Sequence, residues 1–373
     1  MKPRYTALVT ASALALALAG CTNQPVEQAG PSNTVSTVGA SSPEPDVTIG
    51  DIENADLDSY RPFGRETRAL TADSPLRPTL QGDLPRLDGA TALYPLYASF
   101  VRSSYPEGAY PPYSEPTPDG PVPAGEADWY SDVVCTRTIS AFQNLVTGKV
   151  EIAFLLGVSN EQAQLASKLN VELEMIPIGY DAFVFMVNDQ NPVETLTLEQ
   201  IRDIYTGKIT NWSQVGGEDL AIEPFQRQPD SGSQTAFLEM MGSAVTIRPP
   251  MTEENSMTSM SGMMERIADY TNHRGAIGYS FRYYIRDMMN GSGVKLLAID
   301  DVEPTLESIK DLTYQQISTI FAVRVVPSNA SGQGSKRAQN SQRLIDWILS
   351  PDGQGLVEEV GYMPLGSLGD YYR

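Results

Sequence analysis

The residue types that could do chemistry concentrate in Arg227-Gln228-Pro229-Asp230-Ser231-Gly232-Ser233-Gln234-Thr235, which runs into the apolar stretch Ala236-Phe237-Leu238-Glu239-Met240-Met241. A loop of hydroxyls and glycine that opens into an amphipathic helix leaves backbone N–H groups without intrahelical acceptors, at the positive end of the helix dipole. Such an end accommodates an anion. The planar fork of Arg227 can hold two oxygens of a tetrahedral oxyanion while Ser231 and Ser233 donate to the others. The same Ser-Gly-Ser also suits a plain N-cap, so the loop alone leaves both roles open.

Two other segments repeat the design. Leu87-Asp88-Gly89-Ala90-Thr91-Ala92-Leu93-Tyr94-Pro95 turns into a helix carrying Leu93, Leu96, Tyr97, Phe100 and Val101 on one side. Thr91 stands at or next to its start, where it could equally be a cap. Val133-Val134-Cys135-Thr136-Arg137-Thr138-Ile139-Ser140-Ala141-Phe142 passes from a short strand into a helix with Ile139, Phe142 and Val146 as its apolar face and Gly148 as its stop. Thr138 is the hydroxyl at that start. Ligands of open α/β sheets sit beyond the carboxyl ends of the strands, where such loops gather. Three hydroxyl-bearing helix starts and one arginine therefore describe an oxyanion pocket held mainly by neutral dipoles. Each charge-assisted hydrogen bond would contribute on the order of 1.5–3 kcal/mol, and many well-aimed donors are needed to replace the lost water.

A serine nucleophile would need a base. His273, the only histidine, lies in Asn272-His273-Arg274-Gly275, which reads as a surface turn. With no His pair at helical spacing and no Cys cluster, neither a metal site nor a cofactor is expected.

The elements that must position these groups alternate. Val150 to Leu156 reads as a buried strand, Gln162 to Leu169 as a short helix, and Val171, Leu173 and Met175 alternate with acids in another strand. The strand Ala182 to Val187 leads to Leu196-Thr197-Leu198-Glu199-Gln200-Ile201, where Thr197 and Gln200 form a capping box and Gly207 ends the helix. Ser261-Gly262 precedes a helix bearing Met264, Ile267 and Ala268, and its Met stripe reads as core. Gly275 to Phe281 is a strand suited to close backbone approach. Further strands fall near Val294 to Ala298 and Ile317 to Val326, followed by helices from Lys336 to Leu349 and from Ser350-Pro351 to Gly361. This order is that of an α/β protein.

The chain has 373 residues, 41% of them hydrophobic, enough for two packed lobes. A formal charge of −20 argues against nucleic acid or an anionic membrane surface as a partner. Lys2, Arg4 and the apolar run Ala7 to Ala19 form a secretory signal, and Leu18-Ala19-Gly20-Cys21 has the pattern of a bacterial lipobox. On that reading residues 1–21 are a lipoprotein signal peptide and Cys21 carries lipid, tethering the domain to the outside of a membrane. Cys135 is then unpaired and expected to be a small buried residue. Residues 22–80, rich in Ser, Pro, Gly and acids, read as a flexible stalk on which Tyr60-Arg61-Pro62-Phe63 could dock. Residues 107–128 read as a surface insertion without regular structure.

Over nearly all of Leu87 to Leu365 the sequence resembles the substrate-binding lipoproteins of ABC-type phosphate uptake systems. The resemblance rests on Asp88-Gly89-Ala90-Thr91-Ala92-Leu93, Tyr205-Thr206-Gly207-Lys208-Ile209-Thr210-Asn211-Trp212, Arg227 with Ser231-Gly232-Ser233, Gly275-Ala276-Ile277-Gly278-Tyr279, and Ser350-Pro351-Asp352-Gly353-Gln354 leading to Gly361-Tyr362-Met363-Pro364-Leu365. It implies a bilobal type II periplasmic-binding-protein fold of class α/β, with two mixed or parallel sheets flanked by helices and the ligand in the inter-lobe cleft. Crossovers would fall near 180–185 and 279–283, giving residues 81–182 and 281–373 to lobe 1 and residues 183–280 to lobe 2. Carried over position by position, the family's phosphate contacts fall on Thr91, Ala92 and Leu93, on Thr138, and on Arg227, Ser231, Gly232 and Ser233; Ser233 stands where many members have Thr. Those members also place a proton-accepting carboxylate on the strand that here ends in apolar Leu155-Leu156-Gly157. Asp88, Asp181 and Asp230 are the alternatives.

Three functions are compatible with these residues: a monomeric, non-enzymatic, lipid-anchored binding protein on the extracytoplasmic face that hands phosphate to an ABC permease; an oxyanion sensor or scaffold lipoprotein without a transport role; and a serine-dependent hydrolase using Ser231 or Ser233.

Overall fold

The computed structural model describes residues 57–69, 78, 80–106, 133–243, 245–251, 256–257, 259–269, 273–291, 293–326 and 335–367. Residues 1–21 with Cys21, read as a signal peptide, most of residues 22–80, read as a stalk, and residues 107–128 lie outside the described residues.

A short helix α1 (Leu57–Tyr60) precedes strand β1 (Leu87–Gly89), a 3-10 turn over Thr91–Leu93, and helix α2 (Tyr94–Ser104). Then come α3 (Arg137–Val146), β2 (Ile152–Leu155) and α4 (Asn160–Lys168), the last opened by a Ser159–Gln162 capping box. Strand β3 (Leu173–Asn188) is followed by β4 (Thr195–Leu196) and α5 (Leu198–Thr206), which starts at the Thr197–Gln200 capping box and stops at Gly207 with φ 81°. The sequence expectation holds there in full. Strands β5 (Glu223–Pro224) and β6 (Gln226–Arg227), helix α6 (Gly232–Met241), β7 (Ser256–Met257), α7 (Met260–Ala268) and β8 (Ala276–Phe281) make the next run. Strands β9 (Val294–Leu296) and β10 (Ala298–Ile299), α8 (Leu306–Lys310), β11 (Ile317–Val325), α9 (Lys336–Ile348) and α10 (Pro351–Val360) finish it.

The main sheet runs β1-β2-β11-β3-β8-β5, with β9 also on β3. Its parallel pairs are β1–β2 and β5–β8, while β11 is antiparallel to both of its neighbours and β3 to β8. Strand β3 is the joint between the two halves. Leu173 to Ala182 pair with β11, whereas Phe183 to Val187 pair with β8 and Met186 to Asn188 with β9. The sequence reads this region as two separate strands, one over Val171, Leu173 and Met175 and one from Ala182 to Val187. The structure joins them: the register slips by one residue between Ile320 and Phe321, leaving Ile178 as an extra residue beside Pro177. A bulge of this kind lets a strand tolerate a missing N–H.

Each half has its own packing against the sheet. On the β11 side, Phe142, Leu145 and Val146 of α3 bury against Ala153 and Leu155 of β2, and Tyr97 of α2 stacks on Phe154 at 5.0 Å. On the β8 side, Phe237 of α6 stacks on Tyr279 at 4.4 Å and meets Tyr205 edge-on at 4.6 Å. Aromatic contacts of this geometry are worth about 0.5–1.5 kcal/mol each beyond their buried area. They fix the two helices whose starts carry the candidate ligands.

Two details differ from the sequence reading, and a third accords with the docking it allowed for Tyr60 and its neighbours. Helix α7 begins at Met260, ahead of Ser261-Gly262, because Ser259 is its cap and accepts from Gly262 N at 3.0 Å. His273 is not a surface group: its side chain is 13% exposed and its Nδ1 lies 3.2 Å from Glu223 Oε2. The end of the stalk range is held to the domain, with Arg102 Nη1 donating to the carbonyls of Gly64 and Thr67 at 2.8 and 2.6 Å and Tyr60 OH to that of Asp287 at 3.0 Å.

Gly275 shows how tightly β5 and β8 approach. Its carbonyl accepts from Glu223 N at 2.8 Å and from Trp212 Nε1 at 3.0 Å, and a Cβ on it would fall 2.1 Å from the Ala221 carbonyl oxygen. Gly275→Ala is expected to destabilise the domain by about 1–3 kcal/mol through this overlap. Urea unfolding checks it; an unchanged midpoint would show that the approach is loose.

Candidate anion-binding site

The site begins with how α6 is opened. Ser231 is the N-cap, in extended conformation, and its Oγ accepts from Gln234 N at 3.3 Å. Gln234 in turn anchors the helix to β6: its Oε1 accepts from Arg227 N at 3.0 Å and from the Tyr279 hydroxyl, and that hydroxyl also accepts from Arg227 N at 3.1 Å. Arg227 is thereby fixed at both ends, since its Nε donates to the Met257 carbonyl of β7 at 3.2 Å.

Arg227 is 8% exposed and Ser233 is 2% exposed. Burial lowers the Arg227 guanidinium to about 10; Tyr279 and Tyr284 oppose that fall, and the charge of Arg137 adds to it. The Ser233 Oγ is shielded from solvent and has no hydrogen-bond partner among the described residues. A buried hydroxyl in that state costs about 1–3 kcal/mol unless something meets it.

The starts of α6 and α3 face each other. A Cβ on Gly232 would lie 3.1 Å from Thr138 Oγ1, so only a glycine leaves room there without displacement of Thr138. Thr138 is itself buried. Beside this contact Ser159 Oγ, at the start of α4, donates to Asp230 Oδ1 at 2.5 Å. Residues from the β11 side thus meet residues from the β8 side around one point.

Asp88 builds the α3 start. It accepts from Gly89 N and Thr136 N at 2.8 Å each, from Thr136 Oγ1 at 2.6 Å and from Asn144 Nδ2 at 2.9 Å. Desolvation nonetheless raises it to about 6, with these hydrogen bonds pulling the other way. Asp181 lies where β3 changes partner, accepts from Ala182 N at 2.8 Å and Tyr283 N at 3.4 Å, and is raised by burial to about 7. The three carboxylates raised as proton acceptors are therefore engaged separately, Asp88 with Thr136, Asp181 at the β3 joint and Asp230 with Ser159. Leu155 and Leu156 are buried apolar residues, as read from sequence.

Thr91 does not cap its helix; Ala90 holds the N-cap position, without a side-chain bond. The Thr91 side chain instead lies beside the Cys135 thiol, which burial pushes up to about 12 and which donates to the Gly89 carbonyl at 3.8 Å. Ala92 and Leu93 are fully buried, and the Ala92 carbonyl accepts from the Tyr362 hydroxyl. Of the sequence-derived residues, Thr138, Arg227, Ser231, Gly232 and Ser233 share one locality, and Thr91 joins it through Cys135 on the loop entering α3. Arg137 is the residue that sequence reasoning passed over. Its Nη2 is buried without a partner among the described residues, and its charge reaches both Arg227 and Tyr284. The signal was its place in Thr136-Arg137-Thr138. Among the described residues no cluster of His, Cys, Asp and Glu could hold a metal, and no helix is long and apolar enough to cross a membrane.

A family model described as a PBP superfamily domain matches residues 88–352. The chain belongs to the PBP superfamily. Among its PBP relatives, the phosphate-binding protein PstS of Borreliella burgdorferi is 26% identical over 188 residues, covering 50% of this chain and 63% of that protein. PstS of Bacillus subtilis is 27% identical over 219 residues, covering 58% of this chain and 65% of its own length. The match thus spans a little under two thirds of each of these two relatives. Protein SphX of Synechococcus elongatus is 26% identical, covering 61% of this chain and 67% of that protein. A crystal structure of a putative phosphate ABC transporter substrate-binding protein with bound phosphate from Clostridium perfringens superposes with TM-score 0.54 at 23% identity, over 75% of this chain and 98% of the other. The PBP fold here is type II, with mixed sheets flanked by helices.

The Asp88 environment gives a pH signature. Its folded pKa stands near 6 against an ordinary 3.8, so the folded PBP domain binds this proton more tightly than the unfolded chain. The stabilising contribution is complete below about pH 4 and is lost as pH rises through 6, a change of about 3 kcal/mol. Asp88→Asn should remove that slope, read as a parent-minus-variant difference in urea stability that shifts between pH 4 and 7. Parallel profiles would contradict the burial argument.

Proposed function

We propose that this chain is an extracytoplasmic solute-binding protein that takes up inorganic phosphate between two lobes and delivers it to an ABC permease. The observation that carries the reading is that a buried Arg227 and a buried Ser233 hydroxyl, unpartnered among the described residues, belong to the segment whose Gly232 abuts Thr138 at the start of α3. The names of the PstS and SphX relatives support phosphate as the ligand. In this reading Thr91, Ala92, Leu93 and Thr138 contact the anion from lobe 1 (81–182 and 281–373), and Arg227, Ser231, Gly232 and Ser233 from lobe 2 (183–280). Strand β3 and the end of β8 are the hinge, and the anion biases closure by touching both lobes. Cys21 carries the lipid anchor, and the protein acts as a monomer without cofactor or metal.

The role is binding rather than catalysis. Ser231 is engaged as a helix cap, and His273, the one histidine, is turned toward Glu223 and Arg266. A serine hydrolase thus lacks its base.

Calorimetric titration of the purified protein with phosphate, sulfate, arsenate and molybdate tests the proposal. Phosphate is expected to bind, and Arg227→Ala to weaken it roughly tenfold or more through loss of a charge-assisted contact. Equal affinity in the variant would remove Arg227 from the site.

A further inference from the structure

We propose that Arg137 is a second guanidinium ligand of the anion, supplied from the lobe opposite Arg227, so that the bound oxyanion bridges two arginines. This rests on the oxyanion reading above. It differs from it in adding a full positive charge to a lobe that otherwise offers hydroxyls and backbone N–H groups.

Geometry carries the inference. Arg137 opens α3 with φ 72°, in the left-handed region, where a non-glycine residue is uncommon and is strained by about 1–2 kcal/mol. The surrounding loop enforces this conformation, because Asp88 holds both the backbone N–H and the hydroxyl of Thr136, the preceding residue. Such strain is retained where the side chain's position matters.

The side chain itself is only partly satisfied by the protein. Nη2 is shielded from solvent and finds no acceptor, and among the described residues no carboxylate forms an ion pair with Arg137. The positive field of Arg137 reaches Arg227, on the other lobe, and lowers its proton affinity. It also acts on Tyr284, where Arg227 acts as well. Two guanidinium groups therefore approach one region from opposite sides, next to the unpartnered Ser233 hydroxyl and the Thr138–Gly232 contact. Like charges brought together repel, and a doubly charged tetrahedral anion between them turns that repulsion into two attractions. The anion's differential affinity for the closed state grows accordingly.

The site's charge pattern also fits its apolar strand. With Leu155 and Leu156 buried at the end of β2 and just beyond it, charge complementarity comes from two arginines rather than from a carboxylate that reads a proton.

The test compares phosphate affinity of the parent, Arg137→Gln and Arg137→Lys by calorimetry, with ligand-free urea stability measured alongside. Arg137→Gln should bind at least tenfold more weakly while its ligand-free stability is equal to or higher than that of the parent, since a strained, like-charged pair has been relieved. Arg137→Lys, which keeps the charge but not the fork, should fall between the two. Unchanged affinity in Arg137→Gln would overturn this inference alone, as would equal weakening in both variants. Failure of the parent to bind phosphate, sulfate, arsenate or molybdate would sink the oxyanion reading and this inference with it.

Discussion

A guanidinium removed from water is held at a cost of several kcal/mol unless a negative partner meets it, and the region around Arg227 is organised by that constraint. Several contacts of Arg227 fix the posture of its side chain. Gln234 and Tyr279 grip the Arg227 backbone and the Met257 carbonyl takes Nε. Burial then drags the group down to about 10, still charged at neutral pH. Around it, the Ser233 hydroxyl, the Arg137 Nη2 and the N-terminal turns of α3 and α6 all present donors. A net charge of −20 makes this concentration of donors more notable, because a free anion approaches against the mean field and is held by local groups alone.

Those donors belong to segments far apart in sequence, and one strand makes their meeting possible. Strand β3 pairs with β11 up to Ala182 and with β8 from Phe183 onward, so α3 and α4 stand on one side of this change of partner and α6 on the other, and the proposed function makes it the hinge. Asp181 stands at the change of partner, fully inside the protein, with Ala182 N and Tyr283 N on one oxygen and no partner for the other among the described residues. Around it Tyr283 and Tyr362 stack at 4.1 Å, and the Tyr362 hydroxyl ties the C-terminal segment to the Thr91 turn. Packed aromatics thus connect the partner change in β3 with the first helix start.

Much of this was legible in the sequence because it is local. Capping pairs such as Thr197 with Gln200, the glycine stop at Gly207 and the apolar faces of α3 and α6 are decided by residues three or four apart. What escaped depended on distant partners. Strand β3 was read as two strands because its continuity past Pro177 depends on a bulge set by β11's register. His273 looked like a surface turn because its neighbours are polar, yet Phe225 and Glu223 from β5's vicinity enclose it. Arg137 was hidden between two threonines because its backbone conformation and its facing partner, Arg227, are set by tertiary contacts. Thr91 read equally as cap or ligand, and only the position of Cys135 showed that its hydroxyl is turned toward the loop entering α3.

The central claim is that a tetrahedral oxyanion sits where the starts of α3 and α6 meet. Its most direct test is a crystal structure with molybdate or tungstate, whose metal atom is located by anomalous scattering. The account predicts one strong peak within hydrogen-bonding reach of Arg227, Ser233 and Thr138. A peak elsewhere on the surface, with that junction filled only by water, would contradict it.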